Sequence, residues 1–314
     1  MSNSCRLGLA ATVLLAAPFA LASCSSGGES QSVASSSTNA PSCPTTPVEV
    51  VVSVDQWGGI VSELGGACAK VTTLLASSSV DPHDYEPSPA DAVKFSGAQL
   101  VVVNGGHYDE WAAKLAAGSA PAAPVVDAVQ VSGLDQNGTN PHTWYSPTAV
   151  TQVADAVTAQ LSKLAPGASD YFAARRGEFT STLRPYDDQI AVIKTGATGK
   201  RYAATEGVFD YMASALGLQN ETPAGYQTAT NNESDPSPAD LDAFLGLLRN
   251  KGVDVLIYNT QTEGSVPQQL RSAAESAGVP VVEVTETVAP GAKSFEAWQV
   301  DQLTALAKAL GVAT

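Results

Sequence analysis

VEVVVSV (48–54), QLVVVNG (99–105), RYAATEG (201–207), VDVLIYNT (253–260) and VPVVEVTE (279–286) are the runs that decide the fold. They are short and continuous rather than alternating, and most are rich in Val, which is how strands buried on both faces of a parallel sheet read. Between them lie segments with helical spacing of apolar residues, at 89–96, 208–216, 238–249, 266–277 and 295–310. Strand and helix in alternation predict an α/β architecture of mostly parallel sheets flanked by helices. One block repeats: PSPAD stands at 87–91 and again at 236–240, each time followed by a helix and then a Val-containing strand that reaches an Asn. Each copy reads as a helix start, with Ser as cap, Pro in the first turn and Asp reaching back as in a capping box. Such caps are common, but agreement of the whole block points to two related lobes. Between the lobes, residues 147–194 hold no strand-like run and long helical periodicity, in TQVADAVTAQLSKL (151–164) and SDYFAARRGEFTSTLRPYDDQIAVIK (169–194). A linking helix is expected there, kinked at Pro185, whose ring removes one backbone hydrogen bond.

Working outward to the N-terminus, Arg6 precedes an apolar stretch over 7–21 broken by Gly8, Thr12 and Pro18. A membrane span needs about 20 apolar residues; a charged start, a short apolar core and small residues beyond it describe an export signal instead. Its end, Leu21-Ala22-Ser23-Cys24, resembles the bacterial lipobox, which implies lipidation of Cys24 and tethering to the outer face of the cytoplasmic membrane. Residues 25–46 are rich in Ser, with Gly and Pro among them, and poor in large apolar side chains, so they read as a flexible tether. The expected organisation is a signal peptide over 1–23, a lipidated tether over 24–46, an N-terminal α/β lobe over 47–165, a linking helix over 166–194 and a C-terminal α/β lobe over 195–314.

The formal net charge is -15, and loss of residues 1–23 removes Arg6 but no acid, leaving -16. Such a surface repels phosphate backbones, which argues against nucleic acid as a partner, and it draws in cations. Cys5 leaves with the signal, so Cys43 and Cys68 are the pair left to an oxidising compartment, and a disulfide between them is expected. Cys43 precedes the first strand and Cys68 follows the helix expected at 56–64, so a strand-then-helix unit brings both to one sheet edge.

Beyond the signal the chain has three histidines, His83, His107 and His142. His83 sits in DPHDYEPSPAD (81–91) and His142 in NPHTWYSP (140–147), each as Pro-His with an aromatic two residues on. The proline stiffens the loop, and a ligating imidazole must be aimed closely. Either histidine alone reads more readily as a surface residue; the paired setting is what raises both as ligands. Glu206 ends RYAATEG and Glu286 ends VPVVEVTE. Ligands of open α/β sheets gather outside the carboxyl ends of the strands, so these four groups can face one crevice. Imidazoles and carboxylates together suit divalent first-row ions. Asp81, Asn140 and Trp144 are the nearby candidates for orienting or shielding the imidazoles, and His107, in NGGHYDEW (104–111), reads as a surface or cleft-rim residue.

DPHDYEPSPAD, NPHTWYSP, ATEGVFDYMASALGL (204–218) and VEVTETV (282–288) resemble the motif series of the zinc and manganese solute-binding lipoproteins of bacterial ABC importers, over about residues 48–310. The resemblance implies two lobes joined by a long backbone helix, with one metal ion at their interface held by His83, His142, Glu206 and Glu286, and delivery of that ion to an importer permease by a monomeric, lipid-anchored receptor. Family members usually carry Asp at the last position, so Glu286 is a departure, with Glu283 as second choice. Zinc-selective relatives often carry a His-rich loop where residues 116–139 here hold no His. Two imidazoles with two carboxylates form a harder site than three imidazoles, which leans towards manganese, or ferrous iron, over zinc. Two other functions compete. A metal-dependent hydrolase would keep an open position on its ion and a general base, and neither H-E-x-x-H nor G-x-S-x-G occurs here. A receptor or adhesin for an organic solute would want a roomy aromatic cleft, against an aromatic content of 6%. The chain is therefore expected to be a metal receptor, not an enzyme.

Overall fold

The structure is a computed structural model that describes residues 42–76, 85–134, 140–262 and 264–313. Its strands are β1 (Val48–Val54), β2 (Ala69–Leu75), β3 (Leu100–Val103), β4 (Val125–Asp127), β5 (Arg201–Ala204), β6 (Gln219–Asn220), β7 (Val255–Asn259) and β8 (Val281–Val284). They form two four-stranded sheets, ordered β2-β1-β3-β4 and β6-β5-β7-β8, with every pairing parallel. The second order repeats the first. The Val-rich runs take the inner positions because those strands are covered on both faces: β3 and β7 are buried along their whole length, and β1 at all but Glu49. The edge strands were the hard ones to read. β6 is two exposed polar residues and β4 three residues, too short for periodicity to register.

The helices are α1 (Asp55–Gly65), α2 (Pro89–Phe95), α3 (Glu110–Ser119), α4 (Ala128–Ser132), α5 (Pro147–Leu164), α6 (Ser169–Thr182), α7 (Arg184–Gly196), α8 (Asp210–Leu216), α9 (Ala224–Asn231), α10 (Pro238–Arg249), α11 (Ser265–Ala277) and α12 (Phe295–Leu310). The two PSPAD copies start α2 and α10, each leading into the third strand of its sheet. At α2 the Asp91 carboxylate accepts from the Ser88 backbone N–H and hydroxyl, and also from Tyr85 and Lys94, bonds that hold it well below the usual carboxylate range. At α10 the Ser237 hydroxyl accepts from the Asp240 backbone N–H.

The connection between lobes is helical but is divided where one kinked helix over 166–194 was expected. A 3-10 turn at Pro166–Ala168 separates α5 from α6, and the chain breaks again at Leu183 before α7. Pro185, in the first turn of α7, is the reason for the second break, since it has no N–H to donate across it. Leu183 still bonds to Phe179 and Asp187 to Leu183, so the two helices stay abutted. The buried face of α5, at Ala149, Val150, Val153, Ala154, Val157 and Leu161, follows the helical period and packs the connector onto the first lobe.

One apolar core runs through both lobes, from the β1–β3 valines to Phe295, Trp298 and Leu306 of α12, and a smaller one under α9 to α11 centres on Tyr226, Phe244, Leu248 and Leu270. Tyr145 stands between the lobes, with its ring 5.2 Å from Phe209 and 5.7 Å from Trp298. Each such fully buried aromatic stabilises the fold by roughly 1.5–3 kcal/mol through area removed from water. Cys43 and Cys68 are joined by a disulfide with Cα atoms 4.9 Å apart, fastening the segment before β1 to the turn after α1. Cys24, the signal, most of the tether, Asp81 and His83 lie outside the described residues. Among the described residues no helix is long and apolar enough to cross a membrane.

Candidate metal centre

Three of the four expected ligands come together. His142 stands just before the short turn Thr143–Tyr145, Glu206 follows β5 by two residues, and Glu286 follows β8 by two. One ligand atom from each lies within 4.8 Å of the other two, in a buried setting. His142 Nε2 is 3.8 Å from Glu206 Oε1 and 3.8 Å from Glu286 Oε2. Both carboxylates extend from strand ends of the second sheet, so the β pleat and the sheet order bring them side by side across β7.

The imidazole is oriented by Asn140. Asn140 Nδ2 donates to the Gly207 carbonyl at 2.8 Å, which turns Oδ1 towards His142, where it accepts from the backbone N–H at 3.1 Å and faces Nδ1 at 2.8 Å. Nδ1 therefore carries a proton, which leaves Nε2, the atom facing the acids, as the position where the imidazole takes up a second proton or binds a cation. Trp144, fully buried, packs edge-on against the imidazole with ring centroids 5.2 Å apart, and Tyr108 closes another side at 6.0 Å.

The carboxylates are held from behind by Asn259 at the end of β7. Its Nδ2 donates to Glu206 Oε2 and to Glu286 Oε1, both at 2.8 Å, and Thr262 adds a 2.5 Å bond to Glu206 Oε2. Tyr108 reaches Glu286 Oε2 at 3.3 Å. The Glu286 backbone is clasped as well: its N–H donates to Gln261 Oε1 and its carbonyl accepts from Gln56 Nε2, each at 2.8 Å. Burial and the neighbouring Glu286 charge raise the Glu206 pKa, against the pull of His142, Thr262 and Asn259. Burial pushes the His142 imidazole down, but the facing carboxylates of Glu286 and Glu206 outweigh it, and its pKa is raised. The pocket thus favours positive charge, whether a proton or a cation.

Bonds between the lobes converge on these loops. Asn140 donates to Gly207 O, Tyr211 donates to Asn140 O at 2.9 Å, Tyr145 donates to Thr285 O at 2.7 Å, and Gln56 donates to Glu286 O. Glu283 lies elsewhere: it is exposed, and its carboxylate pairs with Arg271 at 2.7 Å. His107 is a surface residue beside Glu110. Sequence reasoning raised Asn140 and Trp144 but passed over Tyr108, Gln56, Gln261, Thr262 and Asn259. For Asn259 a signal existed, because each repeated block ends on an Asn. Asn104, its counterpart, donates to Pro141 O at 2.9 Å and accepts from Trp57, holding the loop that carries His142. The other four come from scattered segments with no shared spacing.

Two α/β lobes of matching topology, with one buried imidazole–carboxylate cluster assembled from both, define a two-lobed binding protein whose cluster is a candidate cation site. Residues 50–309 match the family model described as zinc-uptake complex component A, periplasmic (ZnuA), and the chain belongs to that family. It is 25% identical over 217 residues to the high-affinity zinc uptake system protein ZnuA of Bacillus subtilis, covering 63% of this chain and 67% of that protein. It is 24% identical over 279 residues to the manganese ABC transporter substrate-binding lipoprotein PsaA of Streptococcus pneumoniae, with 84% of each covered. Its fold is that of the binding protein FpvC of Pseudomonas aeruginosa, solved in complex with Mn2+, with a TM-score of 0.71 at 22% identity over 85% of this chain and 99% of that one.

Proposed function

We propose that this chain is an extracytoplasmic solute-binding protein that captures one divalent first-row transition ion, manganese or zinc, and delivers it to the permease of an ABC importer. The observation that carries the reading is the convergence of His142, Glu206 and Glu286, with Asn140 turning the imidazole Nε2 towards the two acids. The relatives named for zinc and for manganese uptake support the same substrate class. His83 is the fourth ligand in this proposal. It follows β2, whose last residue Leu75 lies beside Val54, two residues before Gln56, at the carboxyl edge where the other ligands stand. Cys24 carries the lipid that keeps the receptor at the outer face of the cytoplasmic membrane, and the protein works as a monomer. Its role is binding and transfer of the ion rather than catalysis.

Elemental analysis of protein purified without chelator tests the proposal, with one ion per chain expected. His142→Ala and His83→Ala should each lose that ion while far-UV circular dichroism and melting stay those of a folded protein. A His142→Ala protein with full metal content would refute the assignment of the site.

A further inference from the structure

We propose that Tyr145 is a positioning residue of the metal centre: standing in the turn that follows His142, it ties together the loops carrying His142, Glu206 and Glu286 and holds the imidazole in register with the two acids before an ion arrives. The inference rests on reading the cluster as a metal site and says what keeps its parts aligned.

Tyr145 touches all three loops. Its backbone N–H donates to the His142 carbonyl at 3.1 Å and so closes the turn that presents the imidazole. Its fully buried ring lies 5.2 Å from that of Phe209, which stands three residues beyond Glu206 in the turn Gly207–Phe209. Its hydroxyl donates to the carbonyl of Thr285, the residue before Glu286, at 2.7 Å. Gln302 Oε1 is a second acceptor at 2.8 Å, and that oxygen also accepts from the Thr285 N–H at 3.2 Å, so either place for the hydrogen fastens the same residue. Burial pushes the phenol well above its ordinary pKa, which keeps the hydrogen on the hydroxyl through the neutral range. Thr285 is otherwise gripped from α12 of its own lobe, its N–H by Gln302 and its hydroxyl by Trp298 Nε1 at 2.9 Å. Tyr145 adds a bond from the lobe that carries His142, so moving Glu286 away from the imidazole, now 3.8 Å off, strains that bond.

Ligands held in register need no further ordering when the ion binds, whereas ligands on two loosened halves must be drawn together at the expense of affinity. Tyr145→Phe isolates this effect, since it keeps the ring between Phe209 and Trp298 and removes only the hydroxyl. Tyr171→Phe is the control: it removes a hydroxyl that accepts from the Ala67 N–H at 2.8 Å, between α6 and the turn after α1. A bond that merely stabilises the fold lowers the melting temperature and leaves the affinity of the folded protein unchanged.

Zinc and manganese are titrated separately into wild-type protein and both variants below their melting temperatures, and zinc release to a chromophoric chelator is followed by stopped flow. In Tyr145→Phe, affinity for both ions should fall about 3- to 10-fold, with zinc release faster by a similar factor. Tyr171→Phe should melt lower yet keep both quantities within about twofold of wild type. Unchanged affinity and release in Tyr145→Phe, whatever its melting temperature, would overturn the inference and leave the receptor reading standing, as would equal losses in the two variants. A wild-type protein that binds neither ion overturns both.

Discussion

Replacing Asn140 by Ala removes no ligand, yet it should cost much of the metal affinity. The side chain accepts from His142 Nδ1 and from the His142 backbone N–H, and donates across the lobes to Gly207 O. Without it the imidazole is free to carry its proton on Nε2 and to turn away from the acids. Loss of such a partner typically weakens metal binding about 10- to 100-fold, which is about 1.4 to 2.7 kcal/mol. Three side-chain hydrogen bonds at about 1 kcal/mol each would also lower apo stability by up to about 3 kcal/mol, or roughly 6–12 °C in melting temperature for a chain of this size. Asn140→Asp separates the two effects. It keeps an acceptor for Nδ1–H and so should keep metal affinity near the wild-type value, while losing the donor to Gly207 and with it part of the stability. Isothermal titration with zinc and manganese, beside calorimetric melting of the apo proteins, reads both quantities. Wild-type affinity in Asn140→Ala, or equal affinity losses in the Ala and Asp variants, would show that orientation of His142 does not limit binding.

Three further outcomes are expected. Glu286→Ala should abolish tight metal binding, whereas Glu283→Ala, which removes only an exposed pair with Arg271, should leave affinity within about twofold; the reverse pattern in titration would move the ligand. Cys43→Ser with Cys68→Ser, or reduction, should cost about 3 kcal/mol by reopening the loop and leave metal affinity unchanged, seen as a lower melting temperature in differential scanning calorimetry. Burial, with Glu296 adding to it, pushes Glu63 up to about 7 from 4.5. The folded state then binds the proton more tightly than the unfolded state, so this group's ionisation weakens the fold as pH rises from about 4.5 towards 7 and beyond. Glu63→Gln should raise the apo melting temperature at pH 8 and do so far less at pH 4; equal gains at both would contradict the assignment.

The inner strands were legible because burial on both faces writes a continuous Val run, and the loop that brings His142 into the cluster because Pro-His stands out in a chain with three histidines. The edge strands β4 and β6 were not, since pairing to a neighbour can hold two or three residues in a strand with no pattern of their own. Of the cluster, Glu206 and Glu286 could be read from their places at strand ends and Asn140 from its place two residues before His142. Gln56, Tyr108 and Gln261 could not: Gln56 and Tyr108 reach Glu286 through contacts that exist only where the lobes meet, and Gln261 reaches the Glu286 backbone from the loop after β7, a pairing with no sequence spacing of its own. The division of the connector at Leu183 was visible in Pro185, while the turn at Pro166 was not separated from the helix that follows it.

The bridges between the halves have a mechanical consequence. Asn140 to Gly207, Tyr145 to Thr285 and Gln56 to Glu286 all end on Glu286 or on the immediate neighbour of Glu206 or Glu286. A force that pries the halves apart therefore pulls on the loops that carry the cluster. In the proposed receptor, spreading the halves and unloading the ion are then one motion, with no separate trigger for release.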